Sequence, residues 1–190
     1  MRSTPPRAAV TATALALTLG GLLTGTAHAA AAHPAAVHTA TARTSATCSQ
    51  AYLPLPDPAC TPGALNPDVT QATIDSTICV SGWTTTIRPS TSYTNKLKAQ
   101  QIIAYGYSDT NMSDYEEDHF IPLELGGAPK DPNNLWPEPH YNAGGGTSTQ
   151  KDAVENALKK AVCSGAVELA PAQDAIATDW STALATLGLA

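Results

Sequence analysis

The sequence is poor in basic and aromatic residues, and its cysteines are widely spaced. Lysine and arginine number 10 against 16 acidic residues, and aromatic residues make up 5% of the chain. Non-specific affinity for nucleic acid comes mainly from lysine and arginine at the phosphates, so this composition excludes a protein that holds nucleic acid tightly by charge alone. No two cysteines lie two to four residues apart, which argues against a structural zinc site.

Long apolar runs are also absent, apart from one near the start of the chain. Arg2 and Arg7 precede an apolar stretch over residues 8–23, and Ala27-His28-Ala29 has the small residues of a cleavage site. The stretch contains threonine and glycine and is short for a membrane span, which needs about 20 apolar residues. The pattern predicts a signal peptide over 1–29, a secreted protein and no membrane association after cleavage. Its removal takes away two arginines and no acidic residue, so the net charge falls from −6 to −8.

The rest of the chain divides into a leader and one domain. Residues 30–46 are mainly alanine, threonine, histidine and proline, a composition that cannot bury a core and predicts a disordered leader. Residues 47–190 are long enough for a single domain with a hydrophobic core. We expect this domain to be a monomer.

Four cysteines remain after cleavage, and an even number in an exported chain predicts two disulfides. Four cysteines allow three connectivities. Loop geometry favours Cys48–Cys60, which closes a proline-rich loop, and Cys79–Cys163, which ties the front of the domain to its C-terminal helices.

Local patterns predict an α+β fold with a strand–loop–strand–helix unit at its centre. Residues 77–87 are rich in β-branched side chains and predict a strand, whereas 92–105 have helical spacing. Two further strands are predicted at 116–125 and 134–138. A capping-box pattern predicts that a helix begins near Thr149, and Pro171 predicts the first turn of a last helix.

The central unit carries the residues of greatest chemical interest. Asp118 and His119 are adjacent, Gly126-Gly127 and Asn134-Leu135 follow, and then comes His140. The segment combines a carboxylate, an amide and two imidazoles. A neutral histidine can take a proton from water, and hard oxygen and nitrogen ligands suit a divalent cation.

This motif resembles that of the HNH endonuclease family, which has the ββα-metal fold. The resemblance implies a β-hairpin and helix over 115–163, with additional helices and a disulfide-stapled N-terminal segment. It implies that His119 is the general base and that Asp118 binds one Mg²⁺, Mn²⁺ or Zn²⁺ ion. Asn134 would either tie the loop to the strand that carries His119 or bind the metal.

The remaining metal ligand is open. His140 is the natural candidate, but it follows Asn134 early, a glycine-rich stretch separates it from the helix, and the paired cysteines of many family members are missing. The alternatives are Glu138, Asp152 and Asn156. Lys151 would meet a substrate phosphate near the helix N-terminus, or instead pair with Glu155 one turn later.

The predicted function is therefore a secreted, metal-dependent endonuclease or phosphodiesterase that hydrolyses nucleic acid, with DNA favoured over RNA as the substrate. The alternative is a non-catalytic, disulfide-stabilised exported binding domain that retains the HNH-like scaffold. The presence of all three motif residues, Asp118, His119 and Asn134, favours the enzyme. The acidic charge and the missing cysteine pairs favour the binding domain.

Overall fold

The computed structural model describes residues 47–190. The predicted signal peptide and leader lie outside these residues. Within them the chain combines five α-helices with one two-stranded antiparallel sheet, which agrees with the predicted mixture of helix and strand. The elements are α1 (Trp83–Ile87), α2 (Thr91–Ala104), β1 (Tyr115–His119), β2 (Leu135–Pro139), α3 (Ser148–Cys163), α4 (Leu169–Asp179) and α5 (Ala183–Thr186).

The hairpin carries the predicted site, and β1 ends at its histidine. Tyr115 pairs with Pro139 at one end of the sheet, and His119 pairs with Leu135 at the other. The first strand was predicted to run to residue 125, but the chain instead makes a 3-10 turn over Leu123–Leu125. Pro122 precedes this turn and has no N–H to donate to a strand ladder, which explains the early end of β1.

The predicted strand over 77–87 is wrong. Residues 77–82 form turns and the short helix α1 follows. Gly82 has φ = 77°, a left-handed conformation that interrupts an extended run. Ile78 is fully buried in the helical core, so its burial does not require a sheet. Preference for β structure depends on neighbouring strands, and this segment has none beside it in the described part of the chain.

The three predicted helices are present. Helix α2 covers nearly the predicted range, and Pro171 lies in the first turn of α4. Helix α3 begins with a complete capping box: the Thr147 hydroxyl accepts a hydrogen bond from the main-chain N–H of Gln150, and the Gln150 side chain accepts one from that of Thr147. This reciprocal pair satisfies two N–H groups that a helix start otherwise leaves without partners.

Two hydrophobic clusters hold the hairpin between helices. One joins α3, α4 and α5 to the turn after β1 and includes Ile78, Leu125, Leu158, Val162, Ile176 and Trp180. The other packs α2 against the hairpin and is mainly aromatic, with Ile102, Tyr105, Tyr107, Tyr115, Phe120 and Trp136. The hairpin therefore has a fixed position relative to α3.

Both predicted disulfides are confirmed. Cys48–Cys60 closes a loop of 12 residues, and Cys79–Cys163 joins the turn before α1 to the last residue of α3 across 84 residues. Two disulfides in one domain indicate an oxidising compartment. In residues 47–190, no helix is both long enough and apolar enough to cross a membrane.

Candidate functional site

A cavity of about 240 Å³ lies between β1, α3 and the end of α1. Its wall is strongly acidic. The charged residues that line it are Arg88, Glu116, Asp118, Glu124, Asp152 and Glu155, and His119 and Asn156 line it as well. Asp118 and His119 are neighbours on a strand, yet both reach this cavity, because they lie where β1 ends and the chain begins to turn.

The imidazole of His119 is buried and neutral. The residue is 4% exposed, and its Nε2 lies 3.0 Å from the carbonyl oxygen of Pro129. A carbonyl only accepts hydrogen bonds, so Nε2 carries the proton and Nδ1 of the neutral ring keeps its lone pair. Burial lowers the pKa of His119 below its usual value, although Asp118 and the Pro129 carbonyl oppose this effect. The ring is therefore neutral at neutral pH and able to accept a proton.

Asn134 fixes the loop that presents this ring. The residue is fully buried, and its side-chain Oδ1 accepts a hydrogen bond from the Ile121 N–H at 2.9 Å. Its Nδ2 donates to the carbonyls of Ile121 at 2.9 Å and Ala128 at 3.2 Å. Of the two roles considered for Asn134, the structure displays the loop tie. Both amide N–H groups are taken by the main chain, so the Asn134 side chain ties the loop to the segment that follows β1.

The two glycines of the loop are explained by the same packing. Gly126 has φ = 79° and ends the 3-10 turn. A Cβ on Gly127 would lie 1.7 Å from the carbonyl oxygen of Ile121 and 2.7 Å from Asn134 Nδ2. Only glycine lets the loop approach β1 closely enough for Asn134 to bridge the two segments.

Lys151 lies under the cavity and binds three oxygen atoms. Its side chain is 1% exposed, and Nζ donates to Asp118 Oδ2 at 2.5 Å, to the carbonyl of His119 at 3.0 Å and to Glu155 Oε1. The expected pair with Glu155 is thus present. All three N–H groups of the ammonium point at protein oxygens, which leaves none for a substrate phosphate.

The ionisable groups around Lys151 shift one another's pKa values. Burial opposes ionisation of Asp118, but Lys151 outweighs it and lowers the pKa of Asp118 below its usual value. Burial would likewise lower the pKa of Lys151, but Asp118 and Glu155 raise it. Burial, and then the charge of Asp118, raise the pKa of Glu138 well above its usual range. The centre therefore holds a charged ammonium against an ionised Asp118.

His140 lies elsewhere. It lines a second cavity of about 330 Å³, shared with Arg88, Glu116 and His119 but not with Asp118. Its Nδ1 is 2.8 Å from the hydroxyl of Ser148 at the start of α3. The structure therefore does not bring His140 and Asp118 to one cavity.

The other candidates for a metal ligand also differ in position. Asp152 and Asn156 are exposed on α3 and line the first cavity, and the Asn156 amide donates to the main-chain carbonyl of Asp152. Glu138 is buried on β2 and lines neither cavity.

Arg88 is a site residue that the sequence analysis missed. It follows α1, is exposed, and lines both cavities. Among the ion pairs of residues 47–190, none involves Arg88. It is also the sole arginine of the predicted domain, and this could have indicated from the sequence that Arg88 is a candidate site residue. Its guanidinium is available to a planar anion at the mouth of the site.

The described residues do not fit the divalent metal that the resemblance implies. Residues 47–190 contain no group of three or more histidine, cysteine, aspartate or glutamate residues placed to hold a metal ion. The carboxylate of Asp118 is already bound by Lys151, and His140 lies at the other cavity. Metal dependence therefore stays a prediction for cleavage assays.

Comparisons with protein-family models, with curated proteins and with solved structures found no match. Inference about function therefore depends on the geometry of the site.

Proposed function

We propose that this protein is an exported hydrolase of nucleic-acid phosphodiester bonds, with a hairpin and helix arranged as in the HNH endonucleases. The observation that carries the proposal is the hydrogen bond from His119 Nε2 to the Pro129 carbonyl. It leaves a free lone pair on Nδ1 of a buried, neutral imidazole, and His119 lines the same cavity as the exposed Arg88. The two disulfides support export.

In this reaction His119 Nδ1 takes a proton from water as the water oxygen attacks phosphorus. The bond from phosphorus to the 3′ oxygen breaks, and the leaving oxygen takes a proton from solvent. Arg88 binds the non-bridging oxygens of the phosphate, where a planar guanidinium donates two parallel hydrogen bonds. One positioned general base contributes about 10²–10⁴ in rate.

The acidic wall sets the affinity for a phosphate. Lys151 is bonded to Asp118 and Glu155, and Lys159 lies 3.7 Å from Glu124. Burial raises the pKa of Glu116 to about 7, so this carboxyl is half protonated at neutral pH. Arg88 therefore faces a partly neutralised wall. We expect weak binding of substrate and ready release of product.

The test is cleavage of supercoiled plasmid DNA and of single-stranded RNA by the mature protein. Parallel reactions contain EDTA, Mg²⁺, Mn²⁺ or Zn²⁺. We expect His119→Ala to lose about 10²–10⁴ in rate in whichever condition supports cleavage. Its circular dichroism should remain close to that of the wild type. Rates are compared well below its melting temperature, which the loss of the hydrogen bond to the Pro129 carbonyl should lower. Cleavage by His119→Ala at the wild-type rate would show that the general base is assigned wrongly.

Arg88 allows a matched test of substrate binding. Arg88→Gln removes one positive charge at the cavity, and Lys160→Gln removes one from an exposed position on α3 that does not line it. We expect the first variant to raise KM and the second to behave as the wild type. Equal losses in both variants would indicate that only net charge matters, and would remove Arg88 from the site.

The alternative is an exported binding domain on the same scaffold. The observation that favours it is the cavity wall, which has five acidic side chains and one exposed arginine. Such a wall suits a cationic ligand better than a phosphate. Absence of cleavage of both DNA and RNA in all four conditions, by a folded wild-type protein, would establish this alternative over the enzyme.

A further inference from the structure

The oxygen cage around Lys151 has the composition of a hard-cation site. Two carboxylates and one main-chain carbonyl, from Asp118, Glu155 and His119, surround a single positive centre. Carboxylate and carbonyl oxygens are the ligands that Mg²⁺, Ca²⁺ and Mn²⁺ take in proteins. In this protein the cation between these oxygens is the ammonium group of Lys151.

The placement of the ammonium follows from the inner face of α3. Lys151, Glu155 and Leu158 are spaced by four and three residues, and all three are buried. Lys151 contacts β1 through Asp118 and His119, and Leu158 belongs to the cluster that contains Leu125 of the following turn. Side chains on this face point into the protein rather than to water. Nζ therefore lies between the two elements, and the ends of Asp118 and Glu155 meet there.

We propose that Lys151 is the resident cation of this site. Its ammonium holds the place between Asp118, Glu155 and the His119 carbonyl that a divalent ion would otherwise take. The wild-type protein consequently binds no divalent cation at Asp118. Replacing Lys151 with a neutral side chain converts the same oxygens into a divalent-cation site.

Charge and space both support this assignment. The ammonium already neutralises the charge of Asp118, and its three donors match three acceptors. A divalent ion in the same cage would stand within a few ångströms of a buried positive charge, and like charges at that separation repel strongly at low dielectric. To make room, Lys151 would have to leave a position where it is 1% exposed and lose all three partners.

Lys151 is thus a positioning residue. It orients the Asp118 carboxylate and the His119 carbonyl from below, without reaching substrate. This inference deepens the proposed function, because it makes the general base of that site independent of added metal. The cation-binding test itself needs no nucleic acid.

The decisive experiment is titration of Mn²⁺ into the mature protein. Electron paramagnetic resonance of free Mn²⁺ and isothermal calorimetry are the readouts. The variants are Lys151→Met and the matched control Lys159→Met. Lys159 is on the same helix and pairs with the cavity carboxylate of Glu124, but it is partly exposed and is not enclosed by oxygens.

We expect no saturable site in the wild type or in Lys159→Met, and one site per chain in Lys151→Met. Adding Asp118→Asn to Lys151→Met should remove that site. A purely structural role for Lys151 would not create a metal site in its absence. One Mn²⁺ site in the wild type that Asp118→Asn abolishes would overturn the proposal, and so would a folded Lys151→Met variant that binds no Mn²⁺.

A second variant keeps the test decisive if Lys151→Met, with two buried carboxylates and no counter-charge, fails to fold. The double variant Lys151→Met, Glu155→Gln removes one of those charges. It keeps the Asp118 carboxylate and the His119 carbonyl as ligands, together with the amide oxygen of the introduced glutamine. We expect it to bind one Mn²⁺ more weakly than Lys151→Met. A folded double variant without a site would overturn the proposal.

Cleavage assays separate this inference from the proposed function. Cleavage by the wild type in EDTA supports both. Cleavage that requires a divalent ion bound at Asp118 retains the hydrolase and overturns the resident cation. No cleavage under any condition, with a Mn²⁺ site that appears only in Lys151→Met, overturns the hydrolase and supports the resident cation.

Discussion

The buried amide of Asn134 secures both sides of the hydrogen bond that His119 makes with Pro129. Asn134 holds the main chain of Ile121, two residues after His119, and the carbonyl of Ala128, the residue before Pro129. The histidine and its acceptor are therefore each anchored one or two residues away by a single side chain. The orientation of the proposed general base depends on a residue that does not touch the cavity.

Replacing Asn134 with alanine should reduce both stability and rate. The change leaves buried main-chain groups of Ile121 and Ala128 without partners, and each such group costs about 1–3 kcal/mol. We expect the free energy of unfolding in urea to fall by roughly 3 kcal/mol. In the folded fraction, kcat should fall more than KM changes, because the imidazole loses its orientation.

The neighbouring residue provides the control for that variant. Asn133 is exposed on the same turn, so Asn133→Ala should leave stability and kcat close to wild type. An Asn134→Ala variant as stable and active as Asn133→Ala would argue against the anchoring role.

Gly127→Ala should destabilise the loop more than a substitution at an open glycine. A Cβ at Gly127 would overlap the Ile121 carbonyl at 1.7 Å, so the main chain must move. At Gly145, with φ = 94°, a Cβ meets nothing within 4 Å, and the cost is backbone strain of order 1–3 kcal/mol. Thermal melting of Gly127→Ala and Gly145→Ala compares the two. A smaller loss at Gly127 would contradict the close approach of the loop to β1.

The activity should have a maximum in its dependence on pH. His119 must be neutral to accept a proton and has a pKa below 6.5, so the rate rises as the pH increases through that region. Glu116, with a pKa of about 7, loses its proton as the pH rises further and adds a negative charge that repels phosphate. The measurement is kcat/KM against pH.

Glu116→Gln isolates the second of these ionisations. It should weaken the decline above about pH 7 and leave the acidic side of the profile in place. The decline that remains comes from Glu155, which lines the same cavity and whose pKa burial raises to about 8. A decline that persists unchanged in Glu116→Gln would assign that ionisation to another group.

The long-range disulfide should contribute more to stability than the short one. In the chain-entropy model, stabilisation grows with the length of the closed loop, to about 4.5 kcal/mol for a loop of 84 residues and about 3 kcal/mol for one of 12. Double serine variants of Cys79–Cys163 and of Cys48–Cys60 should therefore lose stability in that order in urea unfolding. The reverse order would show that strain or residual structure in the unfolded chain dominates.

Features that depend on neighbouring residues were predicted well. The capping box at Thr147, the helical spacing of α2 and the turn residues between the strands are local, and each appears within a residue or two of its expected place. Both disulfides were also predicted. Cys48 and Cys60 are close in sequence, and pairing them leaves Cys79 and Cys163 to pair with each other. The segment over 77–87 failed, because whether β-branched residues form a strand depends on a partner strand elsewhere in the chain.

The candidate site likewise combines features that the sequence predicts with features that only the structure reveals. The sequence by itself placed Asp118, His119 and Asn134 on one hairpin and offered Glu155, one helical turn away, as one of two partners for Lys151. Only the tertiary structure decided that the Lys151 ammonium also meets Asp118, 33 residues earlier, that Arg88 reaches the cavity mouth, and that His140 turns to Ser148. Hydrogen bonds within a turn follow from spacing along the chain, whereas contacts between distant segments follow from how the buried faces of α3 and the hairpin pack together.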